Sequence, residues 1–270
     1  MSSSLKLLVI GGVAAGASCA ARARRLCENA QITVIERGPD VSFANCGLPY
    51  YIGGEIAARD VLAVQTPASL KALLNLDVHT RCEALRIDRT NKRVEVRHLD
   101  TGRLEWQTYD KLMLAPGASP LRPALPGIDD PRILTLRNLD DMDRIVAATQ
   151  TGMRAIVIGA GFIGLEMAEQ LHRKGLGVQL IELQQQVIPP LDAPMAALLE
   201  SELRHHAIGL TLGDGVARFE NQGTTVRCHL NSGKTYDADL IILSIGVKPD
   251  TELARDAGLQ LGPRGHLIVD

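Results

Sequence analysis

The sequence predicts an α/β fold of two tandem units, each a parallel sheet covered by helices with an antiparallel β-meander attached. Three observations carry this expectation. One pattern occurs twice: LLVIGGVAAGASCAARARR from Leu7 and AIVIGAGFIGLEMAEQL from Ala155 each read as a short apolar strand, a glycine turn and an alanine-rich helix. Each helix leads to a further strand ending in an acid, Glu36 in ITVIER and Glu182 in VQLIEL. Each copy closes on a matching phrase, Tyr109-Asp110 before LMLAPGA and Tyr236-Asp237 before LIILSIG. Strands this rich in Val, Ile and Leu suit a parallel sheet buried on both faces.

Taken in order, the first copy has a helix to about Leu26, a strand over 31–36, a helix over about 67–75, and then a meander. DRTNKR at 88–93 and DTGR at 100–103 supply the turn chemistry between its alternating stretches. The second copy repeats the order, with a strand over 178–182, a helix over about 193–206 and a meander turning at NSGK, residues 231–234. The Pro-rich stretch from Pro116 to Pro131 reads as a linker between them.

Composition narrows the function classes. A chain of 270 residues is long enough for two domains, and few aromatics with many aliphatics fit helix-covered parallel sheets. A net charge of -2 gives no reason to expect nucleic acid or an acidic membrane as partner. No apolar stretch reaches membrane-spanning length, and the apolar start at Leu5 runs directly into a glycine turn, as a strand does. Five scattered cysteines without a C-x-x-C motif argue for a reducing cytoplasm. The seven histidines, including His205-His206, lack ligand spacing, so no metal is expected.

The glycines carry the first chemical inference. A pyrophosphate needs backbone N–H groups aimed at it and the positive end of a helix dipole beneath it; side chains in the turn would block its approach. Gly159, Gly161 and Gly164 form the full G-x-G-x-x-G between strand and helix. Glu182 follows Gly159 by 23 residues, where a carboxylate accepts hydrogen bonds from ribose hydroxyls and repels a 2′-phosphate. Leu183-Gln184-Gln185 offers no Arg or Lys to receive that phosphate, so NADH is favoured over NADPH. In the first copy Gly11 and Gly16 hold the outer positions and Val13 the middle one, with Gly12 and Ala14 keeping the turn small. Two such sites in series suggest electrons passed between two cofactors, as in a flavoprotein reductase.

SFANCGLPYYIGG, residues 42–54, has no evident packing logic. Gly47 and Pro49 fix a turn, and Asn45 or Ser42 is placed to cap a short helix beginning near Cys46. A cysteine at a helix N-terminus has its thiolate favoured by the dipole. Cys19 and Cys27 fall on or at the end of the first helix as buried inert thiols; Cys82 and Cys228 fall in meander strands as packing residues. For Cys46 two readings stay open here, a reactive thiol or a small buried hydrophobe.

GGVAAGASCAARARRL, SFANCGLPYYIGG, YDKLMLAPGA, GAGFIGLE and SIGVKPDTELA together resemble the flavin-dependent pyridine nucleotide-disulfide oxidoreductases, which have the glutathione reductase-type fold. SFANCGLPYY is the most discriminating segment, and it resembles the single-cysteine branch that reduces coenzyme A disulfide or, with NADH, persulfides. Members with a paired C-x-x-x-x-C are set aside, because nothing pairs with Cys46 at that spacing.

The resemblance implies an FAD-binding domain over 1–120, an NAD(H)-binding domain over 121–246 and the start of a return segment to the FAD domain over 247–270. FAD would be held by Gly11, Gly12, Ala15, Gly16, Glu36, Arg37 and the loop Ala115-Pro116-Gly117. NADH would be held at Gly159, Gly161, Gly164 and Glu182, with Glu166 near the nicotinamide, and Cys46 would be the redox cysteine. Coenzyme A contacts of the family match Ser18, Arg22, Arg25, Ser42 and Asn45, and guanidinium groups pair well with phosphate oxygens. Where those relatives place a further basic residue this sequence has Leu74, with Lys71 one turn earlier. The family is homodimeric, and its dimerisation domain is expected to lie outside this sequence. Two other functions compete: an NADH oxidase or peroxidase in which Cys46 cycles through a sulfenic acid, and a nucleotide-binding or redox-sensing module without turnover.

Overall fold

The computed structural model describes residues 4–269. The chain divides into two compact units. The first runs to Ala44, resumes over Asp60–Ser119 and takes in the segment from Lys248 onward; the second comprises Asn45–Arg59 and Pro120–Val247. Residues 45–59, which the sequence reading set inside an unbroken 1–120 domain, therefore group with the second unit.

The first unit is built on a four-stranded parallel sheet ordered Asp77–His79, Gln31–Ile35, Lys6–Ile10, Lys111–Leu114. Alternation along the strands sorts its side chains. Val9 and Val34 point to one face, where they pack with Ala20 of the helix Ala15–Leu26 and Leu70 of the helix Pro67–Leu74. Leu8, Ile10 and Ile35 point to the other, against Cys82, Val94 and Val96 of the meander. The meander strands Cys82–Asp88, Arg93–His98 and Leu104–Thr108 turn where the sequence placed its turns. Both Arg86 and Arg93 stack on Trp106, the chain's single tryptophan.

The second unit repeats this plan. Its five-stranded parallel sheet is ordered Gly209–Thr211, Gly177–Ile181, Arg154–Ile158, Leu240–Leu243, Ile133–Leu134. Ile156, Ile158, Ile181, Ile241 and Leu243 meet Phe219, Val226, Cys228 and Leu230 of the meander, whose strands are Val216–Asn221, Val226–Leu230 and Thr235–Ala238. The helix Phe162–Arg173 buries Gly164, Met167, Ala168 and Leu171. Both units are thus the expected Rossmann-like α/β fold.

Two expectations need correction. The Pro116–Pro131 stretch is no free linker. The N–H of Phe219 donates to the carbonyl of Pro126 at 2.8 Å, and Ile128 is buried in the meander cluster, since the stretch carries apolar residues among its prolines. Cys19 and Cys27 are half-buried rather than buried. A helix absent from the sequence reading, Leu139–Ala148, is capped by Asn138, whose side chain accepts from the N–H of Asp141. Among the described residues no helix is long and apolar enough to cross a membrane.

Candidate functional site

In the second unit the strand Arg154–Ile158 ends in a turn whose three glycines answer different demands. Gly159 has φ +97, and a Cβ there would lie 2.5 Å from the Ser244 carbonyl oxygen. A Cβ on Gly164 would lie 1.8 Å from the Gly159 carbonyl oxygen. Gly161 differs, with φ of -75 and nothing within 4 Å of a Cβ. Gly159 and Gly164 are required by the fold, while Gly161 leaves open space over the turn. The helix Phe162–Arg173 starts at Gly161 with no side-chain cap, so its first N–H groups keep no protein acceptor from a capping side chain.

Glu182 ends the neighbouring strand, 8% exposed. It accepts from the N–H of Ala160 in the turn at 2.6 Å and from that of Gln184 at 2.8 Å, which leaves carboxylate lone pairs for ribose hydroxyls. Turn, strand end and Glu182 line a cleft of about 750 Å³, whose other walls include Phe162, Asp214, Phe219 and Ser244. An uncapped helix N-terminus, a cradle that a Cβ would fill and a buried acid at its side fit a dinucleotide. Sequence reading missed Ser244, whose hydroxyl donates to the carbonyls of Ile158 and Gly159 at 2.9 and 3.0 Å. The signal was present in the paired phrases LAPGA and LSIG, which close the two copies.

The first unit reproduces the arrangement. Gly11 has φ +94, and a Cβ on it would lie 2.0 Å from the Ala115 carbonyl oxygen. A Cβ on Gly16 would lie 1.7 Å from the Gly11 carbonyl oxygen. Glu36 accepts from the N–H groups of Gly12 and Gly38, both at 2.7 Å. The loop Ala115-Pro116-Gly117 is tied to the strand end by the Ala115 N–H, which donates to Ile10 at 2.8 Å. The helix Ala15–Leu26 has no side-chain cap. These groups suit a second nucleotide-bearing cofactor. Arg37 reaches Asp250 at 3.8 Å and Glu83 at 4.0 Å, so its charge is partly engaged by the unit itself.

On the helix Ala15–Leu26, Ser18, Arg22 and Arg25 recur at the i, i+4, i+7 spacing of one face, and all three are exposed. Arg22 and Arg25 make no ion pair or side-chain hydrogen bond among the described residues. Arg24 does, donating to Leu74 at 2.8 Å and to Asn75 at 3.0 Å, which ties the ends of two helices together. Leu74 is half-buried against the core, and Lys71 is exposed. Ser42 has φ +47, and its N–H donates to the Gly12 carbonyl at 3.0 Å.

Cys46 lies in the 3-10 turn Asn45–Gly47, directly before the helix Leu48–Gly53. It is the exposed one of the five cysteines, which rejects the buried-hydrophobe reading. The expected cap is not formed. Gly47 holds the N-cap position without a side-chain hydrogen bond, and Asn45 is exposed in the preceding turn. Burial pushes the Cys82 thiol up, and that of Cys228 to about 12. These two are packing thiols. The helix Leu48–Gly53 brings Tyr50 beside Glu166, whose charge is the main reason the phenol is pushed up; burial, Glu169, Glu55 and Cys46 add to it. Glu166 is itself pushed up, by burial and then by Glu169. Cys46, Tyr50 and Glu166 thus share one electrostatic neighbourhood within the second unit.

Comparison with known proteins agrees with this geometry. The family model for pyridine nucleotide-disulphide oxidoreductases matches residues 5–270. The coenzyme A disulfide reductase of Staphylococcus haemolyticus is 35% identical over 268 residues, covering 98% of this chain and 59% of that protein. The reduced Bacillus anthracis protein CoADR-RHD superposes with a TM-score of 0.94 at 45% identity, over 97% of this chain and 47% of that one. An NAD-dependent persulfide reductase from A. fulgidus gives 0.94 at 39% identity, over 98% and 50%. The chain therefore spans about half the length of the proteins it matches. On the family match and the paired glycine turns, this chain belongs to the pyridine nucleotide-disulphide oxidoreductases.

Proposed function

We propose that the chain is the nucleotide-binding part of an FAD-dependent, NADH-using reductase that cleaves coenzyme A disulfide or a coenzyme A persulfide at Cys46. The observation that carries the reading is a single exposed thiol on the segment that follows the first glycine turn. Ser42 is hydrogen bonded to that turn, and Cys46 follows it by four residues, so connectivity alone keeps the Cys46 Cα within about 14 Å of the Ser42 Cα. The family resemblance and the activities for which the relatives are named supply the substrate class.

Gly11, Gly12, Ala15, Gly16, Glu36, Arg37 and the loop at Ala115-Pro116-Gly117 would hold FAD. Gly159, Gly161, Gly164 and Glu182 would hold NADH, with Glu166 toward its nicotinamide. Ser18, Arg22 and Arg25 would clamp phosphates of the coenzyme A moiety, with Ser42 and Asn45 as further coenzyme A contacts. The Cys46 thiolate attacks one sulfur of the substrate disulfide; that bond breaks, one thiolate leaves, and a mixed disulfide forms on Cys46. Flavin and nicotinamide, when bound, would supply the two electrons that break this mixed disulfide, so that the second substrate thiol leaves and Cys46 returns to its thiolate. Partnership with a second copy of the full-length protein is part of the same proposal.

Replacing Cys46 with Ser in the full-length protein tests it. Reduction of coenzyme A disulfide and persulfide is expected to disappear while NADH binding persists. Retained turnover refutes the assignment. Oxygen consumption that depends on Cys46, without disulfide turnover, would select the oxidase reading instead.

A further inference from the structure

The cleft of the second unit has two ionisable side chains in its lining, and both are acids. Glu182 was expected there; Asp214 was not. Each is 8% exposed, and no Lys, Arg or His lines the cleft among the described residues. Asp214 comes from the loop after the strand Gly209–Thr211 and reaches the acidic strand end through the backbone. The Gly213 N–H donates to Gln184 at 2.8 Å, and the Asp214 N–H donates to the Glu182 carbonyl at 3.2 Å. Its side chain is held in place, one oxygen accepting from the Ser232 N–H at 3.2 Å and the other from the Ser232 hydroxyl. The loop 182–184 and the loop 213–215 are therefore stitched into one wall that carries two fixed carboxylates.

Resting on the reading of this cleft as a dinucleotide site, we propose that Asp214 is a second specificity-determining residue, which with Glu182 excludes a 2′-phosphorylated dinucleotide. A 2′-phosphate brings between one and two negative charges, roughly, at neutral pH, by analogy with other phosphomonoesters. A lone Glu182 could be relieved by one substitution. With Asp214 locked by Ser232, a like charge stays in the wall after Glu182 is neutralised. The inference predicts that loss of Glu182 alone leaves NADPH disfavoured.

Calorimetric titration of the intact chain with NADH and with NADPH tests this, using the unaltered protein, Asp214→Asn, Glu182→Gln, the double variant and Ser232→Ala, at low and high salt. Asn at 214 keeps an acceptor for the Ser232 N–H and removes the charge. The NADPH-to-NADH ratio of dissociation constants is expected to fall by about tenfold or more in Asp214→Asn, since a like-charge contact costs more in a partly buried site than in water. It should fall further in the double variant, and less at high salt. Ser232→Ala keeps the charge and is expected to keep the ratio. If Asp214→Asn and Ser232→Ala weaken both nucleotides in parallel with an unchanged ratio, Asp214 only holds the Ser232 turn and the inference is overturned. If the unaltered chain binds neither nucleotide, the reading of the cleft fails, and this assignment with it.

Discussion

Replacing Gly159 and Gly161, two residues apart, by Ala separates what the fold demands from what a ligand demands. At Gly159 an alanine must adopt φ +97 and push its Cβ against the Ser244 carbonyl oxygen, 2.5 Å from the ideal position. The left-handed conformation costs about 1–2 kcal/mol for a residue with a Cβ, and the overpacking about 1–3 more. Summed, Gly159→Ala should cost about 2–5 kcal/mol, and its melting transition should fall by about 5–15 °C. At Gly161 the backbone is ordinary and a Cβ meets nothing. Alanine is a poorer N-cap than glycine by some tenths of a kcal/mol, and it reduces unfolded-state entropy by a similar amount, so the net change stays within about 1 kcal/mol. The same methyl occupies the space above the uncapped helix N-terminus, so NADH affinity should fall by about tenfold to a hundredfold. Differential scanning calorimetry and NADH titration on both variants provide the comparison. A Gly161→Ala protein that melts normally and binds NADH as tightly as the unaltered chain would refute the claim that this space is where a pyrophosphate lies.

Three further outcomes follow from the same geometry. The native chain should show one fast-reacting thiol toward a disulfide reagent, lost in Cys46→Ser, while Cys82 and Cys228 react only after unfolding; a fast phase that survives the substitution would reassign the exposed sulfur. Burial raises the Glu166 carboxyl above its unfolded value, so its contribution to stability is complete below the usual carboxylate range and is lost as pH rises through the shifted value. Glu166→Gln should therefore gain melting temperature relative to the unaltered chain between about pH 4 and neutrality, with the difference vanishing in acid; a constant offset across pH would contradict the burial argument. A Cβ at Gly53 would sit 1.9 Å from Oε1 of the fully buried Gln170, so Gly53→Ala should destabilise the second unit by about 1–3 kcal/mol, read by chemical denaturation, and should do so less when Gln170 is also Ala.

What could be read in advance was whatever the backbone dictates locally. The two glycine turns, the acids at the following strand ends and the meander turns follow from strand period, helix-start chemistry and turn residues, and all stand where the sequence put them. What failed depended on remote packing. Nothing in LPYYIG indicates that its short helix lies against Phe162–Arg173, with Gln170 donating to Glu55 at 2.7 Å. Pro and Gly between residues 116 and 131 signal irregular backbone, but not that Leu125 and Ile128 anchor it. The cap expected from Ser42 or Asn45 is not made, because Ser42 takes a positive φ ahead of the 3-10 turn, and Asn45 starts that turn, which leaves Gly47 at the N-cap position. Asp214 was invisible because its loop meets Glu182 only through sheet order.

The duplicated turns show how a fold constraint and a chemical one can occupy a single motif without conflict. Both copies place glycine where a Cβ would strike the turn's own backbone or the following loop, at Gly11 and Gly16 and at Gly159 and Gly164. They diverge where the backbone makes no such demand. Val13 stands opposite Gly161, and the small Ala14 and Ala15 stand opposite Phe162 and Ile163, whose side chains are 69% and 43% exposed. The backbone donors and the acid that grips them are the same in both copies, with Gly12 to Glu36 at 2.7 Å and Ala160 to Glu182 at 2.6 Å. Within the turns, what differs between the copies is the side chains at these divergent positions. Gly161→Val is therefore expected to lower NADH affinity at little cost to the sheet, whereas exchanges at the outer glycines act on the fold first.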